Sequence, residues 1–326
     1  APDNDHPTVA ADVVLLGAAG SFFGTYVGLV NVDGTAGDEL VATAPFDSTF
    51  TNAVLGFTGG DRSVFTATTV DAVESGAGAG QIAADFVIRG YSDFSSGYFS
   101  FGSSFAAADV TGDGVNELIF ADTSVGHGGG GSGEVYVFEG GTITGTQVLT
   151  TSTSLMHTLR RAEGNVFGQS IAVIAQPRAG DSADWLAITS VNNDVVTVFK
   201  GTSNPDSTPG VNPGIVPAVY DVADLGSITF NELDSTTWSG GANNGFGTFV
   251  TTASIGRDYL VAVPGPNDAT PLFFFTYNAS SDSMVKVGYI PGSSNGFARA
   301  AAGVNMNGTG GLLILEKASN DALLVR

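Results

Sequence analysis

A Phe-Gly pair followed by a run of small residues recurs along this chain, at Phe23-Gly24, Phe101-Gly102, Phe167-Gly168 and Phe246-Gly247, with Phe297-Ala298 as a fifth, variant copy. Recurrence constrains the fold more than any single motif does. Each copy must be one supersecondary unit that buries its apolar face against its neighbours. Every pair is followed by a second apolar run, at 40–44, 118–121, 185–189, 259–263 and 312–315. A third run comes at 54–57, 135–138, 196–199, 272–275 and 323–325, and a fourth, before the next pair, at 86–88, 156–159, 228–230 and 285–290.

These runs are short, β-branched or aromatic, and bounded by Gly, Asn, Asp and Ser, so they read as strands. The 46 glycines show no G-X-Y period and fit the turns between strands. No segment sustains helical amphipathicity. Four short antiparallel strands per repeat, repeated in series, is the pattern of a propeller blade. The expected fold is all-β: a single domain over 1–326, a five-bladed β-propeller with blades near 22–90, 100–161, 166–233, 245–290 and 296–326. The fifth repeat stops after its third strand, and an unassigned strand at 13–16 precedes the first pair. Residues 9–16 are therefore expected to complete the last blade, which removes two exposed sheet edges. A free N-terminal arm on a truncated six- or seven-blade array is the alternative.

The chain carries 11 Lys and Arg against 32 Asp and Glu, a net charge of -21. Such a surface repels phosphate backbones and lipid headgroups, so neither nucleic acid nor membrane insertion is expected, while divalent cations suit it. With 43% hydrophobic and 13% charged residues, the composition is that of a folded chain. Cysteine is absent, which excludes a disulfide framework and thiol chemistry. No apolar run approaches the roughly 20 residues a membrane helix needs. The opening Ala1-Pro2-Asp3-Asn4-Asp5 reads as a processed, secreted chain or as a trimmed one.

The sharpest local signal is Asp109-Val110-Thr111-Gly112-Asp113-Gly114-Val115-Asn116-Glu117. Oxygen side chains stand at alternate positions, Asp109, Thr111, Asp113 and Glu117, and the Val115 carbonyl fills the gap. A hard cation such as Ca²⁺ takes about six to eight oxygens, and a tight loop with alternate residues turned inward supplies them. No helix flanks the loop, so it is no EF-hand; a metal-free Asp/Gly turn is the other reading. The first repeat has a loop of the same length, with Asn31, Asp33, Thr35, the Gly37 carbonyl and Glu39 as donors. It carries fewer carboxylates and is expected to be the weaker site. The third repeat places Gln176-Pro177-Arg178 there, and the fifth has no carboxylate.

From Phe101-Gly102 through Asp109–Glu117 and Leu118-Ile119-Phe120-Ala121 to Gly133–Phe138, the second repeat resembles an FG-GAP repeat, the unit of the integrin α-subunit propeller and of fungal and bacterial propeller lectins. The resemblance implies a calcium-binding, extracellular propeller. It also implies ligands on the face opposite the calcium hairpins. Family members commonly have seven blades, so five is a departure.

On that opposite face the sequence offers Tyr91, Phe94, Tyr98, His127 and Trp238, aromatics beside Asp and Asn that would suit sugar rings or would instead cap the spaces between blades. Trp185 reads as core. No His-Glu-x-x-His is present. The expected function is a calcium-binding lectin-like or adhesion module whose partner is a carbohydrate or cell-surface glycoconjugate. The alternatives are a polysaccharide lyase or glycosidase using His127, Tyr98 and Arg160 or Arg161, and a structural matrix protein.

Overall fold

The computed structural model describes residues 14–19, 21–35, 37–44, 52–57, 69–73, 81–90, 100–123, 133–149, 152, 154–160, 166–177, 180, 182–190, 195–201, 218–221, 228–231, 248–255, 258–263, 272–281, 283–291, 300–306, 309–316 and 321–325. Among them every regular element is a strand. After β1 (Val14–Leu16), the first antiparallel sheet is built from β2 (Val27–Val30), β3 (Glu39–Ala44), β4 (Ala53–Phe57) and β7 (Phe86–Arg89). The connection from β4 to β7 carries β5 (Thr69–Val73) and β6 (Gln81–Ala83). The second sheet is β8 (Phe101–Ala108), β9 (Glu117–Asp122), β10 (Glu134–Phe138) and β12 (Leu155–Arg160), with β11 (Gly145–Val148) between the last two in sequence. The third is β13 (Phe167–Ile174), β14 (Trp185–Ser190), β15 (Val195–Phe199) and β17 (Ile228–Asn231), with β16 (Ala218–Asp221) before β17. The fourth is β18 (Phe249–Ser254), β19 (Asp258–Val263), β20 (Leu272–Asn278) and β21 (Ser283–Ile290). The last has β22 (Ala300–Met306), β23 (Thr309–Glu316) and β24 (Asp321–Val325). The chain is all-β, a series of antiparallel meanders.

A separate core lies between each sheet and the next. Val41, Val54 and Ile88 of the first sheet meet Phe101, Phe120 and Tyr136 of the second. Ile119, Val135 and Val137 on the other face of the second sheet meet Phe167, Leu186 and Ile188 of the third. Trp185 and Val196 meet Phe273 and Phe275, and Leu272 and Phe274 meet Leu312 and Ile314. Sheets buried on both faces explain why their middle strands read as continuous apolar runs rather than alternating ones.

The Phe-Gly pair acquires a physical reason here. Phe101 and Phe167 are 0% exposed and anchor the cores. The next residue turns through a positive φ, +72° at Gly102 and +90° at Gly168. A Cβ on Gly102 would lie 2.7 Å from Thr43 Cγ2, and one on Gly168 would lie 2.7 Å from Ala121 Cβ, each in the preceding sheet. The pair marks where a first strand presses onto its neighbour: the Phe fills the space, and the Gly permits both the turn and the close approach.

Three long connections between third and fourth strands each give an extra, parallel strand. β11 adds to the outer edge of the first sheet along β7, and β16 to the second along β12. β5, from the first sheet's own connection, pairs in parallel with β1 and carries β6 on its other edge. Among the described residues no pairing joins the N-terminal strand to β24, so the expected closure of the last sheet is not shown. The hydrogen-bonded partner of β1 is β5, with Val14 opposite Thr69 and Leu16 opposite Asp71. The cause is apolar: Leu15 packs onto the cluster in which Ala72 and Ile82 meet Leu55, Phe57 and Val87 on the outward face of the first sheet.

Candidate metal-binding hairpins

The β8–β9 turn wraps its own backbone around one carboxylate. Asp109 accepts the N–H groups of Gly112 at 2.6 Å, Asp113 at 3.1 Å and Gly114 at 2.9 Å. Gly112 and Gly114 have φ of +75° and +91°, which lets consecutive N–H groups turn inward. Glu117, 1% exposed, closes the loop from the other side, accepting the N–H groups of Val110 at 2.8 Å and Thr111 at 3.2 Å. Asp113 is exposed, and its Oδ1 accepts Val115 N–H at 2.8 Å.

Burial pushes the Glu117 carboxyl up from its ordinary 4.5 to about 7; the N–H groups of Val110 and Thr111 pull it down, and the charges of Asp113 and Asp109 add to the rise. The predicted donors Asp109, Thr111, Asp113, Val115 and Glu117 thus share one hairpin. Among the described residues, however, no three Asp, Glu or His side chains converge on a common point. The donor set fits a hard cation by chemistry: it is all oxygen, and it holds a buried carboxylate made costly by two like charges.

The β2–β3 hairpin holds a side-chain amide among its carbonyls. The Asn31 amide donates to the Thr35 carbonyl at 2.5 Å and the Gly37 carbonyl at 2.9 Å. An N–H₂ group there occupies the carbonyls that a cation would use. Asp33 Oδ1 accepts from both the N–H and the hydroxyl of Thr35, at 2.7 and 2.8 Å. Glu39, 2% exposed, accepts Val32 N–H at 2.7 Å, and burial raises its carboxyl, with the Asp33 charge adding.

Two residues that sequence reasoning passed over tie these hairpins together. Asn116 Nδ2 donates to the Asn31 carbonyl at 3.0 Å, linking second sheet to first. Asp184 accepts Asp109 N–H at 3.2 Å and donates its own N–H to the Asp109 carbonyl at 2.7 Å, linking third sheet to second. Both stand immediately before a second strand, a position that aligning the repeats would have exposed.

The other end of the second sheet holds a buried acidic pair, also unforeseen. Asp122 and Glu134 face each other across β9 and β10, each 2% exposed. Ser100 Oγ donates to Asp122 at 2.8 Å, and Tyr136 Oη donates to Glu134 at 2.9 Å. Arg160 is opposite Glu134 in register on β12. The expected ligand residues Tyr91, Phe94, Tyr98, His127 and Trp238, and Arg161 with them, lie outside the described residues. Trp185, expected in the core, is 1% exposed.

No family model and no curated protein matches the chain. Among solved structures it is similar to an exotype rhamnogalacturonan lyase, YesX, at 13% identity and TM-score 0.37, covering 64% of this chain and 37% of that one. It is also similar to a putative 6-phosphogluconolactonase from Bacteroides fragilis, at 13% identity and TM-score 0.44, covering 93% of this chain and 75% of that one. The chain spans little more than a third of the lyase, and neither likeness transfers an activity.

Proposed function

We propose that this chain is a secreted, five-bladed β-propeller that binds calcium through the Asp109–Glu117 hairpin and serves as a carbohydrate-binding or adhesion module. The observation that carries the calcium reading is Glu117: a buried carboxylate, crowded by Asp109 and Asp113, in a loop whose only side-chain donors are oxygens. A bound cation would supply the positive charge that offsets this crowding. In the first hairpin the Asn31 amide already occupies the Thr35 and Gly37 carbonyls, so one occupied site is expected.

The propeller reading rests on the serial sheets and on the parallel strands. β11 lies along the fourth strand of the first sheet and β16 along that of the second. By the same rule, β5 lying along β1 gives β1 the rank of a fourth strand in the sheet preceding the first, which in a ring is the three-stranded last sheet. Leu323 and Leu324 of that sheet and Val14 and Leu16 of β1 are exposed, as unmet partners would be.

Melting followed with chelator, calcium and magnesium tests the metal. Calcium at about 100 times its dissociation constant adds about 2.7 kcal/mol. Chelator should lower the melting temperature and calcium restore it, with magnesium less effective because it demands a smaller, octahedral shell. Asp113→Ala should abolish the response and Thr35→Ala leave it. Indifference to chelator, with no metal in elemental analysis, rejects the assignment. A glycan array run beside a polysaccharide-degradation screen tests the rest: binding without turnover supports the module, turnover makes it an enzyme, and silence in both leaves a structural role.

A further inference from the structure

We infer that the junction between the third and fourth sheets, at the hairpin end, is a binding cleft for a short neutral saccharide. This rests on the carbohydrate reading above and moves the site to the face opposite the one expected from sequence.

The hairpin connections at this end differ in length. At the first two junctions the hairpins are stitched together, Asn116 to Asn31 and Asp184 to Asp109. Asn116 and Asp184 belong to the connections 109–116 and 175–184, whereas β18 and β19 are joined by three residues, 255–257. The cleft between the third and fourth sheets measures about 420 Å³, within the roughly 300–1,000 Å³ of small-molecule sites.

Its floor is aromatic and apolar. Trp185 and Tyr277 meet edge to face, their centroids 4.8 Å apart at 77°, with Met284 beside them. Trp185 is sealed below, while Tyr277 and Met284 are half-buried and reachable. The rim is uncharged and polar: Gln176 and Ser254 are exposed, and Thr276 is half-exposed. Among the described residues that line the cleft, none has a charged side chain, which favours a neutral ligand over an ion that must shed its hydration. A neutral ring with an apolar face and several hydroxyls matches both layers. Gln176, at the mouth, is held at φ +36°, a strained value for a side-chain-bearing residue, with its N–H on Asp184 at 3.3 Å. Strain kept at a cleft mouth is where a ligand contact is expected.

The test is binding of the full chain to an array of neutral and uronic-acid glycans, followed by calorimetric titration with the strongest neutral glycan. Tyr277→Ala and Met284→Trp, one emptying the floor and one filling the cleft, should each weaken binding about tenfold or more, as loss of a buried aromatic contact does. Gln176→Ala, at an exposed position that the core does not need, should weaken it several-fold with melting unchanged, and it decides the matter if either floor variant unfolds. Neutral binding that all three variants leave intact, or binding to charged glycans alone, overturns the cleft while the carbohydrate reading stands. No glycan binding at all overturns both.

Discussion

The Asp184 carboxylate accepts the backbone N–H of Asp109 at 3.2 Å, and the Asp184 N–H returns to the Asp109 carbonyl at 2.7 Å. This two-way bond crosses from the third sheet to the first residue of the second sheet's hairpin. The loop proposed to hold calcium is thereby fixed from one side, and through Asn116 it fixes the Asn31 hairpin on the other.

The bond has a cost that substitution can separate from its benefit. Burial raises the Asp184 carboxyl, and the Asp109 charge adds to it. A raised acid favours the folded state below its unfolded pKa and loses that advantage as pH rises through the folded one. At neutral pH, Asp184→Asn keeps an acceptor for Asp109 and removes the repulsion, so it should match or exceed the parent. Asp184→Ala should lose about 1 kcal/mol. Urea unfolding reads both, and an Asn variant as weak as the Ala variant would mean that the charge itself holds the junction.

The Phe-Gly glycines make two demands that a pair of substitutions can tell apart. Gly168→Ala meets a φ of +90° and places Cβ 2.7 Å from Ala121 and 2.9 Å from Val135. Gly145→Ala meets a φ of +58° with nothing within 4 Å. Backbone strain alone costs about 1–2 kcal/mol, and overpacking adds about 1–3 kcal/mol. Gly168→Ala should therefore be the more destabilising by more than 1 kcal/mol on these scales. Equal losses would show that close approach between sheets is not what the pair provides.

His157, on β12, is lowered by burial from its ordinary 6.5. A base with a depressed folded pKa contributes stability above its unfolded value and loses it as pH falls toward the folded one. Stability should decline as pH drops below 6.5, and His157→Phe should flatten that part of the curve. A slope that survives the substitution belongs to other groups.

The strands predicted from the repeat all appear, because their signal is local: short apolar runs between turn residues. β5, β6, β11 and β16 went unseen for the opposite reason. Thr69–Val73 and Gly145–Val148 have no period of their own and become strands only by meeting another sheet's edge in parallel. The hairpin donors were legible in the alternate spacing of Asp109, Thr111 and Asp113. The Asn31 amide bonded to the Thr35 and Gly37 carbonyls was not, since spacing says nothing of which way a side chain donates. Asp122 and Glu134 are brought together by strand register alone, which the repeat leaves unspecified.

Closure of the ring is the remaining expectation that parallel pairing supports and that β1 can test directly. The chain contains no cysteine, so paired substitutions report unambiguously. A disulfide requires Cα atoms within about 7 Å, which adjacent antiparallel strands satisfy at facing positions. Leu16→Cys or Val14→Cys, each combined with Leu323→Cys or Leu324→Cys, should yield at least one pair that oxidises within a monomer. That pair should raise the melting temperature, because it closes almost the whole chain into one loop and so restricts the unfolded state. Cross-links found only between chains would mean that β24 takes β1 from a second copy. If no pair cross-links in either way while the β1–β5 pairing persists, β1 is a clasp on the first sheet and the last sheet ends at β24.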